Sequence, residues 1–236
     1  MENKVIVKFV NVSRIYEIGE KKFKALNKIN LTIKEGKFVV ILGPSGAGKS
    51  TLLNLLGGLD SPTKGKIIVD GIDIEKLTDD KLAEYRANKV GFIFQFYNLI
   101  PGLTVYENVK LVHENTKEGY SAKKALEDVG LSKHLKKFPS QISGGEQQRV
   151  SIARSIAKNT KILLCDEPTG ALDSETGSHI LKLLHEMTRK NNKTIIVVTH
   201  NQKIAEVADV IIRLKNGEIN SVVNQKDPKQ VESIEW

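Results

Sequence analysis

The chain has 236 residues, 40% of them hydrophobic and 27% charged, which fits one large folded domain or two small ones and argues against a disordered chain. A single cysteine, Cys165, excludes an intramolecular disulfide and suits a reducing compartment. The 36 basic residues exceed the 28 acidic ones, but 30 are lysine and six arginine, with no basic run longer than two; readers of phosphate and bases favour arginine's planar fork, so no nucleic-acid partner is expected.

Residues 1–10 alternate charged and apolar side chains and read as neither a signal peptide nor an anchor. Residues 5–10, 29–33 and 38–42 read as strands, rich in Val and Ile. The third is apolar throughout, as a strand covered on both faces should be. It runs through a glycine-rich turn into a helix over 50–56. Residues 66–70, 90–94, 162–165 and 194–199 repeat the strand pattern, and the apolar runs are strand-sized, whereas a membrane span needs about 20 residues. Residues 104–137 are lysine-rich and helix-compatible, an insertion into an α/β domain. Strands over 210–214 and 218–223 flank Asn216-Gly217, a hairpin signal. Residues 226–236 form a polar, peripheral tail, with Trp236 as an anchor or a frayed end.

Three motifs carry chemistry. Gly43-Pro44-Ser45-Gly46-Ala47-Gly48-Lys49-Ser50-Thr51 fits G-x-x-x-x-G-K-[ST]. Its glycines let the backbone wrap phosphates, Lys49 reaches the β- and γ-phosphates, Ser50 holds Mg²⁺, and the following helix adds its positive dipole end. Asp166-Glu167 ends a second apolar strand, where ligands bind in open α/β sheets. Asp166 there would hold Mg²⁺, mainly through water, and Glu167 would orient or deprotonate an attacking water. In Ile142-Ser143-Gly144-Gly145-Glu146-Gln147-Gln148-Arg149, Ser143 is an N-cap and Glu146 completes a capping box. Two glycines just inside a helix are costly, unless a ligand such as phosphate must come close to the backbone.

In order and spacing this set resembles the ATP-binding-cassette (ABC) ATPases over nearly the whole chain. The resemblance implies a P-loop ABC ATPase fold of α/β class, with an antiparallel β edge subdomain and a helical insertion subdomain. The ATPase domain would run over 1–225, its helical subdomain over about 95–158. ATP and Mg²⁺ are the implied cofactors. Tyr16 corresponds to the aromatic that stacks on adenine, and Gln95 to the glutamine that touches Mg²⁺ and reports to the membrane partner. Asp173 falls in the D-loop, and His200 matches the histidine that contacts the γ-phosphate. Glu167, His200 and Lys49 form the implied catalytic set; Ser50, Gln95 and Asp166 form the implied metal set. Ser143, Gly144, Gly145, Glu146 and Asp173 would act in trans, across an ATP-dependent head-to-tail homodimer.

Within the family, residues 98–101, 103–105 with 107–109, and 168–173 resemble the macrolide-export, lipoprotein-release and cell-division group, with the antimicrobial-peptide exporters of Gram-positive bacteria. That implies an integral membrane permease on a separate chain, a cytoplasmic position on the membrane face, and export of a hydrophobic or amphipathic substrate. Two alternatives stay open at this point: a mechanotransmission module that moves no solute, and a soluble nucleic-acid-linked ATPase. Two departures stand out. Ile142 and Glu146 replace the family's usual Leu and Gln, placing a carboxylate near the expected trans γ-phosphate, and the stretch after Val109 is short.

Overall fold

A computed structural model describes residues 4–113 and 120–234. Two sheets organise the chain. The first is antiparallel, in the order β2 (Lys21–Lys34), β1 (Val5–Ile18), β4 (Lys64–Val69), β5 (Ile72–Asp73). The second has six strands in the order β10 (Glu218–Asn224), β9 (Val210–Lys215), β3 (Phe38–Leu42), β8 (Thr194–Thr199), β7 (Ile162–Asp166), β6 (Val90–Ile93). All its pairings are parallel except β9 with β10, which Asn216 and Gly217 join with positive φ at both positions. That is the conformation a two-residue hairpin needs.

The parallel strands divide two cores. Phe38, Val40 and Leu42 of β3 face one apolar cluster, and Val39 and Ile41 face the other. β7 and β8 alternate in the same way, which is why these runs lack polar residues. On one side lie the antiparallel sheet, helix α1 (Lys49–Leu56) and helix α2 (Asp79–Asn88). On the other lie α3 (Val105–His113), α4 (Ala122–Asp128), α5 (Gly144–Ala157) and α6 (Ser174–Asn191).

Several expectations need correction. β1 and β2 run 14 residues each, far past 5–10 and 29–33. Their outer halves form an exposed ribbon whose polar residues hide the strand signal. Helices α2 and α6 have no counterpart in the reading by pattern, although Ile180, Leu181, Leu184 and Met187 give α6 a buried stripe at helical spacing. The tail is less peripheral than its composition suggests. Val231 and Ile234 are buried in the main core, and Lys182 pairs with Glu232 at 2.6 Å. Trp236, and residues 114–119 within the short stretch after Val109, lie outside the described residues. Among the described residues, no helix is long and apolar enough to cross a membrane.

Candidate nucleotide-binding and hydrolysis site

The phosphate loop connects β3 to α1. Gly48 is the N-cap of α1 at φ 98°, and a Cβ there would sit 2.5 Å from the carbonyl oxygen of Ala25. Only glycine satisfies both the dihedral and the close approach of β2. The loop and the N-terminus of α1 open onto a cavity of about 850 Å³. Lys49 lies back over the loop, its ammonium donating to the carbonyl oxygens of Gly43 (2.7 Å) and Pro44 (3.0 Å). Ser45 to Thr51 all line the cavity, whereas Gly43 and Pro44 face a smaller adjoining one together with His200.

The opposite wall comes from the ends of β7 and β8, which are neighbours in register, Asp166 beside Val198. Burial pushes the Asp166 carboxyl above its ordinary range, and the negative charge of Glu167 adds to this; a hydrogen bond with Ser50 and the charge of Lys49 oppose the rise. Phosphate loop and carboxylate therefore share one cavity. Glu167 turns into the left-handed region at φ 47°, a conformation costing an L-residue roughly 1–2 kcal/mol. Its N–H donates to the Val198 carbonyl at 3.0 Å. Its Oε1 accepts from the His200 backbone N–H at 2.9 Å and lies 2.8 Å from His200 Nδ1; its Oε2 accepts from the Thr199 hydroxyl at 2.7 Å. Strain at a carboxylate so firmly held is the pattern of a functional residue.

Gln95 follows β6 and lines the same cavity, as do Phe96 and Tyr97. Three of the lining residues were not expected in the nucleotide site. Phe23 is half exposed on β2. Gln148 is buried on α5, its Nε2 donating to the Pro168 carbonyl at 3.3 Å. Tyr97 brings its hydroxyl within 3.0 Å of where a Cβ on Gly144 would stand. A glutamine among the apolar residues of a buried helix face is a usable signal; an exposed Phe in a lysine-rich ribbon is not.

Tyr16 does not line the cavity. Its ring lies under the Arg14 guanidinium, 4.5 Å from centre to Cζ, and its hydroxyl donates to Asp60 at 2.8 Å. Its cross-strand partner is Phe23, and directly opposed residues share a face of an antiparallel pair. Phe23 is thus the aromatic that this ribbon gives to the cavity, with Tyr16 beside it. Ser143, Gly144, Gly145, Glu146 and Asp173 also lie outside the cavity lining of their own chain. Ser143 and Glu146 form the expected capping box: Glu146 accepts from the Ser143 N–H at 2.7 Å, and the Ser143 hydroxyl accepts from Glu146 N–H at 3.2 Å. Asp173 caps α6, accepting from Thr176 N–H at 2.9 Å.

A P-loop that shares its cavity with a half-buried carboxylate and a second, hydrogen-bonded one defines the class: a P-loop nucleoside triphosphatase. Residues 26–170 match the family model described as ABC transporter. An ABC transporter ATP-binding protein of Methanocaldococcus jannaschii, MJ0796, is 47% identical over 223 residues, covering 91% of this chain and 95% of that one. One from Thermotoga maritima is 45% identical, covering 93% and 95%. A probable syringafactin export ATP-binding/permease protein of Pseudomonas syringae is 48% identical over 92% of this chain but 34% of its own length. A dimeric structure of MJ0796 in a post-hydrolysis state, bound to ADP and Pi, superimposes with a TM-score of 0.89 at 43% identity, covering 94% of this chain and all of that one. The chain belongs to the ABC transporter family as its ATP-binding, ATP-hydrolysing subunit.

Proposed function

We propose that this subunit works as a head-to-tail homodimer that powers a membrane permease carried on a separate chain, from the cytoplasmic face, and that the transported substrate is hydrophobic or amphipathic and is exported. The observation that carries the catalytic part is the joining of Lys49, Ser50, Asp166, Glu167 and His200 around one cavity. Lys49 and the loop N–H groups bind the triphosphate. Glu167 orients the attacking water and accepts its proton, and the role of His200, which lines the same cavity, is to contact the γ-phosphate.

The residues also fit Mg²⁺. Ser50 and Asp166 offer hard oxygen donors to the same cavity, Gln95 adds an amide oxygen, and a cation would relieve the cost of burying Asp166. Among the described residues no three His, Cys, Asp or Glu side chains form a self-contained metal site, which agrees with an ion held partly by substrate phosphates. When bound, Mg²⁺ would neutralise charge on the β- and γ-phosphates.

Homodimerisation draws support from the dimeric structures of MJ0796 and from Ser143 and Gly144, which are exposed at the head of α5 and lie away from their own chain's cavity. Export draws support from the syringafactin exporter. The docking surface for the permease is the segment after Gln95. There Phe96 is 78% exposed and Ile100 43%, whereas Leu99 packs against the core. Affinity capture of the tagged chain from its own membranes tests the proposal. An integral membrane permease should co-purify from the parent and be lost on Ile100→Glu, a residue exposed in this segment and outside the cavity lining, with ATP binding retained; capture of the chain alone, or of a nucleic-acid complex, would overturn it.

A further inference from the structure

The Glu167 carboxylate is fixed from outside the two motifs that supply the recognised chemistry. Thr199, the last residue of β8, is 1% exposed, so its hydroxyl has no access to solvent. That oxygen accepts from the Asn201 backbone N–H at 3.0 Å and lies 2.7 Å from Glu167 Oε2. A hydroxyl has one proton. With its acceptor side facing Asn201 N–H, the proton is directed at Glu167. Asn201 is held in turn, its Oδ1 accepting from Lys203 N–H at 3.0 Å as the chain enters a short 3-10 turn.

A carboxylate has about four acceptor positions. On Oε1 one is taken by the His200 backbone N–H, with the His200 ring Nδ1 2.8 Å away, and on Oε2 one is taken by Thr199. On Oε2 the one position left is the second. We infer that Thr199 is a positioning residue for hydrolysis: by occupying one site of Oε2 it leaves a single, directed acceptor position for the attacking water. The inference rests on the reading of Glu167 as the water-orienting base. It assigns Thr199 a task that packing alone would not require, since valine fills the same space without a proton to give.

The test compares Thr199→Val, Thr199→Ser and Glu167→Gln in the full chain, measuring ATP turnover, ATP affinity by equilibrium binding, and melting temperature. Loss of a hydrogen bond to a charged group that matters in the transition state should lower kcat by about tenfold or more. Thr199→Val should do so with the ATP dissociation constant within about twofold of the parent, and Thr199→Ser should restore most of the rate. In the Glu167→Gln background, Thr199→Val should cost no further activity, because the two act as a unit. Parental kcat in Thr199→Val beside an inactive Glu167→Gln would overturn the inference and leave the role of Glu167 standing. A loss that serine does not rescue, or that ATP affinity follows in parallel, would make Thr199 a structural residue and overturn it too. Parental turnover in Glu167→Gln would instead remove the reading of Glu167 itself.

Discussion

Arg154, on the third turn of α5, donates from Nη1 to the carbonyl oxygen of Asn98 at 2.7 Å, and the neighbouring Nη2 reaches the Tyr97 carbonyl at 3.1 Å. The segment following Gln95 is thereby strapped along the same helix whose N-terminus carries Ser143 and Gly144. Tyr97 adds a second tie at the head of that helix, its hydroxyl standing close over Gly144. These contacts hold residues 97 and 98, just after Gln95, against α5.

Lysine cannot reproduce the two-pronged contact, because its ammonium is a point donor. Arg154→Lys should therefore cost about 1.5–3 kcal/mol, the range for hydrogen bonds from a charged group. Amide exchange over residues 95–100 should quicken more than exchange in β3 or β8. Equal protection of that segment in both proteins would show that the strap does not hold it.

Glu146 gives a prediction about pH. The Ser143 N–H and hydroxyl, His134 and Lys137 hold its carboxyl below the ordinary 4.5 against the cost of burial, the Ser143 backbone contact being the largest cause. A depressed carboxylate contributes stability above its unfolded pKa and loses it as pH falls through the lower folded value. Glu146→Ala should cost about 1 kcal/mol near pH 7, as expected for loss of a cap, and the difference from the parent should close below pH 4.5. Glu146→Gln keeps an acceptor for the Ser143 N–H and should cost less. Since the carboxylate is engaged with its own helix, Glu146→Gln should leave ATP-driven dimerisation unchanged; denaturation midpoints across pH and sizing with ATP check both statements.

The two buried lysines set the alkaline behaviour. Burial pushes Lys158 down to about 8, with Arg154 and Arg86 adding repulsion, and burial alone pushes Lys193 down to about 8. Between about pH 8 and 10 the unfolded chain binds more protons than the folded one at these sites, so stability should rise with pH there. Each ammonium donates to backbone carbonyls, Lys158 to Val90 at 2.9 Å and Lys193 to Thr160 at 2.6 Å, so methionine would lower overall stability. The slope should nonetheless flatten in Lys158→Met and again in the double variant. A urea midpoint that falls across this window in the parent would contradict the assignment.

The parallel sheet and its chemistry were legible because each strand between two cores is apolar to its last residue and then ends in a functional one: Leu42 before the phosphate loop, Cys165 before Asp166 and Glu167, Val198 before Thr199 and His200. The β1–β2 ribbon was not legible beyond its inner halves, since Arg14, Glu17, Lys21, Lys22, Lys24 and Lys28 interrupt the apolar residues there. For the same reason Phe23 escaped notice and Tyr16 alone was expected at the base. The clamp on Glu167 was hidden for a different reason. Thr199 is an ordinary strand residue in sequence, and only the pairing of β7 with β8 brings its hydroxyl to a carboxylate 32 residues away.

The place of Phe23 is open to direct test. Stacking of a base on an aromatic ring is worth about 1–3 kcal/mol by alanine substitution, so Phe23→Ala should weaken ATP binding by about fivefold or more. Binding of inorganic tripolyphosphate, which has no base to stack, should stay at the parental level. Equal loss for both ligands would mean that the substitution disturbs the phosphate loop instead.

In the proposed mechanism Glu167 acts on water while the phosphate loop acts on ATP. ATP turnover and ATP affinity measured side by side in the parent and Glu167→Gln address it most directly. An amide cannot take the proton that the carboxylate takes, so turnover should fall by at least about a hundredfold while ATP affinity stays near the parental value. Parental turnover in Glu167→Gln, or loss of ATP binding in step with turnover, would contradict the account.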